Sequence, residues 1–178
     1  MRIVAGEHKG ARIFAPPRQD TRPTSDRARE AAFNLIGPVD DAAVLDLFAG
    51  SGAMGLEALS RGAASAVFVE NDRAAARTID RNLEKLRLHA TVLQQDALRA
   101  LAGEAAAGRR YDLVLVDPPY EMFSSLQNGL STYLPRVLAE EGLVVVETEA
   151  REEPELATLT KRTSRRYGRA RITLFDAK

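Results

Sequence analysis

The chain has 178 residues, no cysteine, 45% apolar and 28% charged residues, and 25 basic against 25 acidic side chains, a formal net charge of zero. That length suits one domain, 1–178, with a substantial core, and the composition is that of a globular protein. Without cysteine there is no disulfide, thiolate metal site or cysteine nucleophile. Apolar runs reach only about six residues and the start MRIVAGEHKG lacks a secretion signal's apolar segment, so the expectation is a cytoplasmic protein with no membrane span.

The zero net charge hides an asymmetry. Residues 1–29 hold seven Lys/Arg against three Asp/Glu, residues 161–171 six against none, and residues 30–160 eleven against twenty-one. Two basic ends flanking an acidic middle suit contact with a polyanion, through Lys9, Arg12, Arg18 and Arg22 at one end and Lys161, Arg162, Arg165, Arg166, Arg169 and Arg171 at the other. Because alternate residues of a strand share a face, Arg165, Arg169 and Arg171 are expected on one side and Arg166 on the other.

Along the chain, MRIVAGEHKGARIFAPPRQD reads as two short strands about a glycine-containing turn, an N-terminal hairpin extension over 1–22 ahead of a core over 23–178. TRPTSDRAREAAFNLIGP reads as a helix capped by Ser25 or Thr24, with Asp26 in its first turn, Ala28, Ala32, Leu35 and Ile36 on one side, and Gly37-Pro38 as its stop. From residue 42 strand-like runs AAVLDLF, SAVFVE, ATVLQQD, YDLVLVD and GLVVVETE alternate with helical stretches near 53–61, 72–88, 97–107 and 123–140. Such alternation predicts a parallel sheet covered by crossover helices on both faces. AGEAAAG at 102–108 reads as a loose helix end, and Pro135 as the start of a fresh helical segment. KRTSRRYG and ARITLF leave no room for a helix between them and are expected to pair antiparallel.

Gly50, Gly52 and Gly55 of DLFAGSGAMGLEAL form a G-x-G-x-x-G after the first strand, a pattern that lets backbone approach a ligand and pack a helix on the sheet. Glu70 ends the second strand, twenty residues beyond Gly50, where an acid can accept from both hydroxyls of a ribose. Asn71 and Asp72 follow as the cap of the next helix. Dinucleotides and S-adenosylmethionine both fit to this point. Asp96 ends the third strand, either as a helix cap or as an acceptor for an adenine amino group with the Ala97 N–H beside it. Asp117 ends the fourth, so Asp46, Glu70, Asp96 and Asp117 line one carboxyl edge, where open parallel sheets bind ligands. His8 and His89 are isolated and nothing has metal-ligand spacing, so no metal is expected. In VLVDPPYE, Pro118 and Pro119 stop the strand and hold Asp117 and Tyr120 stiffly at its tip.

DLFAGSG, VFVEND, QQDA and DPPY, in that order and spacing, resemble the class I S-adenosylmethionine-dependent methyltransferases, and D-P-P-Y is similar to the signature of those that methylate planar nitrogen. RIVAGEHKGARIFAPP and RPTSDRAREAAFN extend the resemblance to the bacterial 16S ribosomal RNA guanine-N2 methyltransferases of the RsmD type. The resemblance implies a Rossmann-like α/β fold with a seven-stranded, mostly parallel sheet and an antiparallel C-terminal strand. It implies S-adenosylmethionine held by Asp46, Phe48, Ala49, Gly50, Ser51 and Gly52, by Glu70 and Asn71, by Asp96 and Ala97, and by Thr24 near its methionine end. It implies catalysis by Asp117, Pro118, Pro119 and Tyr120 on ribosomal RNA, in the small subunit or an assembly intermediate, by a monomer. Lys9, Arg12, Arg22, Arg165 and Arg169 are the candidate RNA contacts.

An exocyclic base amine is a poor nucleophile because its lone pair is delocalised into the ring. Acceptors must hold its N–H bonds as positive charge develops. The Asp117 carboxylate and Pro118 carbonyl fit that task, with Tyr120 stacked on the extruded base. Alternatives are methylation of DNA adenine, for which 178 residues leave no large recognition domain, or of a protein glutamine. A dinucleotide-dependent oxidoreductase would explain the glycines and Glu70 but leave DPPY idle.

Overall fold

A computed structural model describes residues 1–17 and 25–178, so Arg18, Arg22 and Thr24 lie outside the described residues. The elements are α1 (Asp26–Ile36), β1 (Ala43–Leu47), α2 (Ala53–Ser60), β2 (Ser65–Val69), α3 (Arg73–Leu86), β3 (Thr91–Leu93) and α4 (Ala97–Ala106). β4 (Tyr111–Val116), a 3-10 turn (Tyr120–Met122), α5 (Phe123–Val137), β5 (Leu138–Glu149), β6 (Leu159–Tyr167) and β7 (Ala170–Ala177) complete the chain. One seven-stranded sheet runs in the order β3-β2-β1-β4-β5-β7-β6. The first five strands are parallel, and β7 runs antiparallel to both β5 and β6. This is the expected class I methyltransferase sheet. It forms because β1 and β4 are nearly continuous apolar runs, buried on both faces as central parallel strands must be.

Each face has its own core. Ile3, Phe33, Leu56, Phe68, Ile79 and Leu83 gather under α1, α2 and α3. Leu45, Val114, Leu101, Leu130 and Leu134 gather under α4 and α5. Strand order reverses between β2-β1 and β4, so the tips of β1 and β4 open at the point where α/β sheets accept ligands.

Four local expectations are corrected. The N-terminal extension is not a pair of strands but a single Arg2–Arg12 bridge, with Ile3 and Ala11 sharing a backbone hydrogen bond of 2.9 Å. The two legs still meet as a short hairpin, with the Gly10 N–H donating to the Ile3 carbonyl at 2.8 Å and the Ile13 N–H to the Met1 carbonyl at 3.1 Å, and the turn is joined to α2 by the Glu7 N–H on the Ser60 carbonyl at 2.7 Å. The buried side of α1 is centred on Arg29, Ala32 and Phe33 rather than on Leu35 and Ile36. α5 passes through Pro135 without a break, because the Ser131 carbonyl that is deprived of its partner by proline accepts the Thr158 hydroxyl at 2.5 Å. Arg171 stands opposite Arg166, not on the side of Arg165, since Tyr167 pairs with Ala170 across a two-residue turn and Arg165 with Ile172. Arg171 is buried, donating to the Ser164 hydroxyl at 2.8 Å and the Ala150 carbonyl at 3.3 Å, and is no RNA contact.

The N-terminal arm is bolted to α2 through Glu57, a wholly buried carboxylate. Its oxygens accept the Val4 and Ala5 N–H groups at 2.8 and 2.9 Å, Arg29 Nε at 3.3 Å and Arg61 Nε at 2.9 Å. Arg29, equally buried, also donates to Asp26 and to the Arg2 carbonyl. Gly6 has φ +82°, and a Cβ there would lie 1.7 Å from the Ser60 carbonyl oxygen, so only glycine lets the arm settle on α2. Removing one member of a buried pair leaves the other charge uncompensated. Glu57→Ala is therefore expected to destabilise the protein by about 3–5 kcal/mol in denaturant unfolding. A loss below 1 kcal/mol, roughly the worth of an exposed pair, would contradict the buried network.

Candidate active site

β1 ends in Asp46-Leu47, and the chain then reverses into α2 through a turn with three left-handed residues, Phe48 (φ 62°), Gly50 (φ 56°) and Gly52 (φ 79°). Left-handed backbone at a phenylalanine costs of order 1–3 kcal/mol and persists only where surrounding contacts enforce it. Here the Ala49 N–H donates to the Val69 carbonyl at 3.0 Å and the Gly52 N–H to the Ala49 carbonyl at 2.7 Å, closing the turn between β1 and β2. Gly55 leaves no room for a side chain, as a Cβ would meet the Phe68 ring at 2.3 Å. Gly50 is the opposite case: a Cβ there would meet nothing within 4 Å, so its backbone borders open space.

Glu70, half-buried at the tip of β2, accepts the Gly50 N–H at 2.8 Å through one oxygen and the Asp72 N–H at 2.8 Å through the other. It thus ties the glycine turn to the start of α3. Asp72 is the α3 cap, accepting the Ala75 N–H at 2.8 Å, whereas Asn71, read with it as a cap, is exposed. Asp96 caps α4 through one oxygen, accepting the Arg99 N–H at 2.9 Å, with Ala97 buried behind it. Asp117 and Tyr120 are half-buried beyond the tip of β4, with Pro118 buried between them; Pro119 is extended (ψ 134°) and its carbonyl accepts the Met122 N–H at 2.9 Å, starting the 3-10 turn. The acids at the tips of β1 to β4 therefore share one edge, together with the glycine turn and Tyr120. Lys9, Arg12, Arg165 and Arg169 are exposed; the turn that carries Arg169 lies at the same carboxyl edge, since Glu149 at the end of β5 pairs with Ala170 and the Ala150 N–H donates to the Arg169 carbonyl at 2.8 Å.

Two supporting residues escaped the sequence reading. Asn82, wholly buried in α3, donates to the Ser51 carbonyl and the Phe14 carbonyl, each at 3.0 Å, and accepts the Phe14 N–H at 2.7 Å. One amide thereby fixes the glycine turn and the N-terminal arm to the same helix. Its only sequence signal is position, since residues 75, 79, 82 and 86 form one helical stripe that is otherwise apolar. The second is Glu57, an acid amid the apolar residues of α2.

Asp46 is 2% exposed, with one oxygen accepting the Gly55 N–H at 2.9 Å. Burial first, and then the charges of Asp117 and Glu70, push its pKa up to about 8. The raised value comes mainly from burial, and the nearby Asp117 and Glu70 carboxylates add to it, marking an edge of like charges. Such an edge suits a cationic ligand such as a sulfonium and opposes a pyrophosphate, whose natural donor, the Gly50 N–H, already faces Glu70. Because the folded-state pKa of Asp46 exceeds the unfolded value near 3.9, the folded chain binds more protons in between. Its contribution to stability falls as pH rises from about 4 to 8 and is level above that window. Asp46→Asn keeps an acceptor for Gly55 and cannot ionise. Its stability gain over the wild type should grow between pH 5 and pH 8, by at most about 1.4 kcal/mol per unit, as followed by thermal unfolding. A gain that does not change with pH would contradict the assigned protonation.

The family model described as conserved hypothetical protein 95 matches residues 1–176. YlbH of Bacillus subtilis (strain 168), provisionally assigned as an rRNA methyltransferase, is 37% identical over 182 residues, covering 98% of each chain. Ribosomal RNA small subunit methyltransferase D of Escherichia coli (strain K12) is 41% identical over 158 residues, 84% of this chain and 75% of that protein. The solved structure of yhhF from Escherichia coli, provisionally a methyltransferase, matches with a TM-score of 0.86 and 34% identity over 100% of this chain and 98% of that one. With a match along nearly its whole length, this chain belongs to the conserved hypothetical protein 95 family, that of the small-subunit ribosomal RNA methyltransferases D.

Proposed function

We propose that the chain transfers a methyl group from S-adenosylmethionine to the exocyclic N2 amine of a guanine in 16S ribosomal RNA. The observation that carries this reading is the Asp117-Pro118-Pro119-Tyr120 tip of β4, set on the same edge as the glycine turn and the acids of β1 to β3. Its membership of a family with small-subunit ribosomal RNA methyltransferases supports the choice of RNA.

S-adenosylmethionine supplies, when bound, a methyl group activated on a positively charged sulfur. The residues present fit it. Glu70 would accept from the ribose hydroxyls, Asp96 and the Ala97 N–H would serve the adenine, and the turn from Phe48 to Gly52 would offer backbone to the ligand. Asn71 stands beside Glu70 at the mouth, and Asp46 acts from below by holding the turn to α2. On the substrate side, the Asp117 carboxylate and Pro118 carbonyl accept the two amine N–H bonds and draw the nitrogen toward tetrahedral geometry. Tyr120 stacks on the guanine, Pro119 keeps it aimed, and the gain is one of position rather than of covalent chemistry. Lys9, Arg12, Arg165 and Arg169 meet phosphates, and Thr24 and Arg22, which lie outside the described residues, are kept as candidate contacts of the cofactor and the RNA.

The RNA is met within the small subunit or an assembly intermediate, by a cytoplasmic monomer. Among the described residues no helix is long and apolar enough to cross a membrane, and Phe14 and Met122 are the large apolar side chains left exposed. That leaves little apolar surface for a second copy.

The test is to incubate the protein with small subunits from cells lacking it and methyl-labelled S-adenosylmethionine, then map the labelled base. Label on a guanine N2 of 16S RNA is expected; label on another atom, or none, would refute the reading. Asp117→Ala should lower turnover about 10²–10³-fold with cofactor affinity unchanged. Glu70→Ala should instead weaken S-adenosylhomocysteine binding by roughly 1.5–3 kcal/mol in calorimetry.

A further inference from the structure

α3 begins immediately after the Glu70 tip and its Asp72 cap, and it runs from the ligand edge along the outside of the molecule. Its inner stripe of Ala75, Ile79, Leu83 and Leu86 is buried, as an amphipathic helix requires. Its outer side carries Arg73, Arg77, Arg81 and Lys85, all exposed and four residues apart. Successive cations in such a series stand about 6 Å apart along the axis, and the four span about 18 Å. Asp80 and Glu84 share the helix, yet none of the four cations makes an ion pair within 4 Å of another described residue. By contrast, Lys161, Arg162 and Arg171 at the C-terminal end are committed to Glu155, Asp176 and Glu153.

Phe14 adds a second, independent observation. It is 38% exposed, although Asn82 clamps both its backbone N–H and its carbonyl. An exposed phenylalanine held that firmly contributes little to the core. What it touches is the cation row: Arg81 lies 4.3 Å and Lys85 4.7 Å from its ring centroid. The ring therefore pre-orders two long cationic side chains that would otherwise lose their freedom on meeting a ligand. Arg12, two residues earlier in the arm, is exposed as well.

We infer that the outer side of α3, with Phe14 as its organiser, is a track for the phosphate backbone of the RNA substrate, leading from the ligand edge. It rests on the reading of the chain as an RNA methyltransferase. Evenly spaced cations that form no ion pair with another described residue, two of them held against an aromatic ring, are complementary to a regularly charged polyanion. Because Asn82 joins the arm and α3 to the Ser51 carbonyl, a strand bound on this track is fixed relative to the glycine turn.

The variant Arg73→Gln/Arg77→Gln/Arg81→Gln/Lys85→Gln retains good helix formers and the buried stripe. Its binding to unmethylated small subunits should be measured across a series of salt concentrations, alongside methylation kinetics, thermal unfolding and S-adenosylhomocysteine affinity. The last two should match the wild type and report an intact fold. KM for subunits should rise at least tenfold with kcat little changed. The log-log salt slope should fall by about 0.7 for each phosphate that the variant no longer neutralises. Phe14→Ala should raise KM by a smaller factor without altering the slope. An unchanged KM and salt slope in the fourfold variant would overturn the track while leaving the methyltransferase reading intact. Failure of the wild type to methylate subunits would defeat that reading instead, and a flattened slope in the variant would still support the track as an RNA-binding surface.

Discussion

The hydrogen bond from the Gly55 N–H to the buried Asp46 carboxyl is the contact on which the ligand edge depends. It joins the last residues of β1 to the first turn of α2, and the absence of a side chain at Gly55 is what allows the Phe68 ring to close over it. With those two points fixed, the intervening backbone has one way around, and it takes left-handed steps at Phe48, Gly50 and Gly52 to make it. The strain at Phe48 and the desolvation of Asp46 both lie directly beneath the space a ligand would enter. Stability is conceded where the chain must present backbone rather than side chains.

Around that turn two buried polar residues do the joining. Glu57 gathers the N-terminal arm, α1 and the end of α2, and Asn82 gathers the arm, α3 and the turn itself. An apolar residue at either place would leave buried donors or acceptors without a partner, so each also fixes which segments meet. A satisfied buried polar group allows one arrangement where an apolar contact allows many. The arm and α3, which bear exposed cations, are in this way rigidly related to the acidic edge. Opposite charges are thereby kept on separate, fixed surfaces of a neutral protein.

Much of this was legible in the sequence, for identifiable reasons. Parallel strands buried on both faces read as continuous apolar runs, so β1, β2, β4 and β5 were evident, and a helix cap or a proline pair marked most boundaries. The site was legible because its acids sit at strand ends, where one residue's place along the chain fixes its place in space. What stayed hidden depends on contacts between distant segments. Pro135 reads as a boundary until Thr158, remote in sequence, is seen to serve the freed carbonyl. The face of Arg171 depends on the length of the turn at Gly168, which shifts the register by one residue. The basic row of α3 was masked by summing charge over the acidic middle, where Arg73, Arg77, Arg81 and Lys85 are outweighed by acids on other elements.

The proposed function divides labour along one sheet edge, with the acids and glycines of β1 to β3 assigned to the cofactor and the tip of β4 to the base. A crystal structure with S-adenosylhomocysteine and a guanosine nucleotide tests this division most directly. The N2 amine is expected within hydrogen-bond distance of both the Asp117 carboxylate and the Pro118 carbonyl, with the ring stacked on Tyr120. A guanine seated elsewhere, or bound with its N2 amine turned away from Asp117, would contradict it.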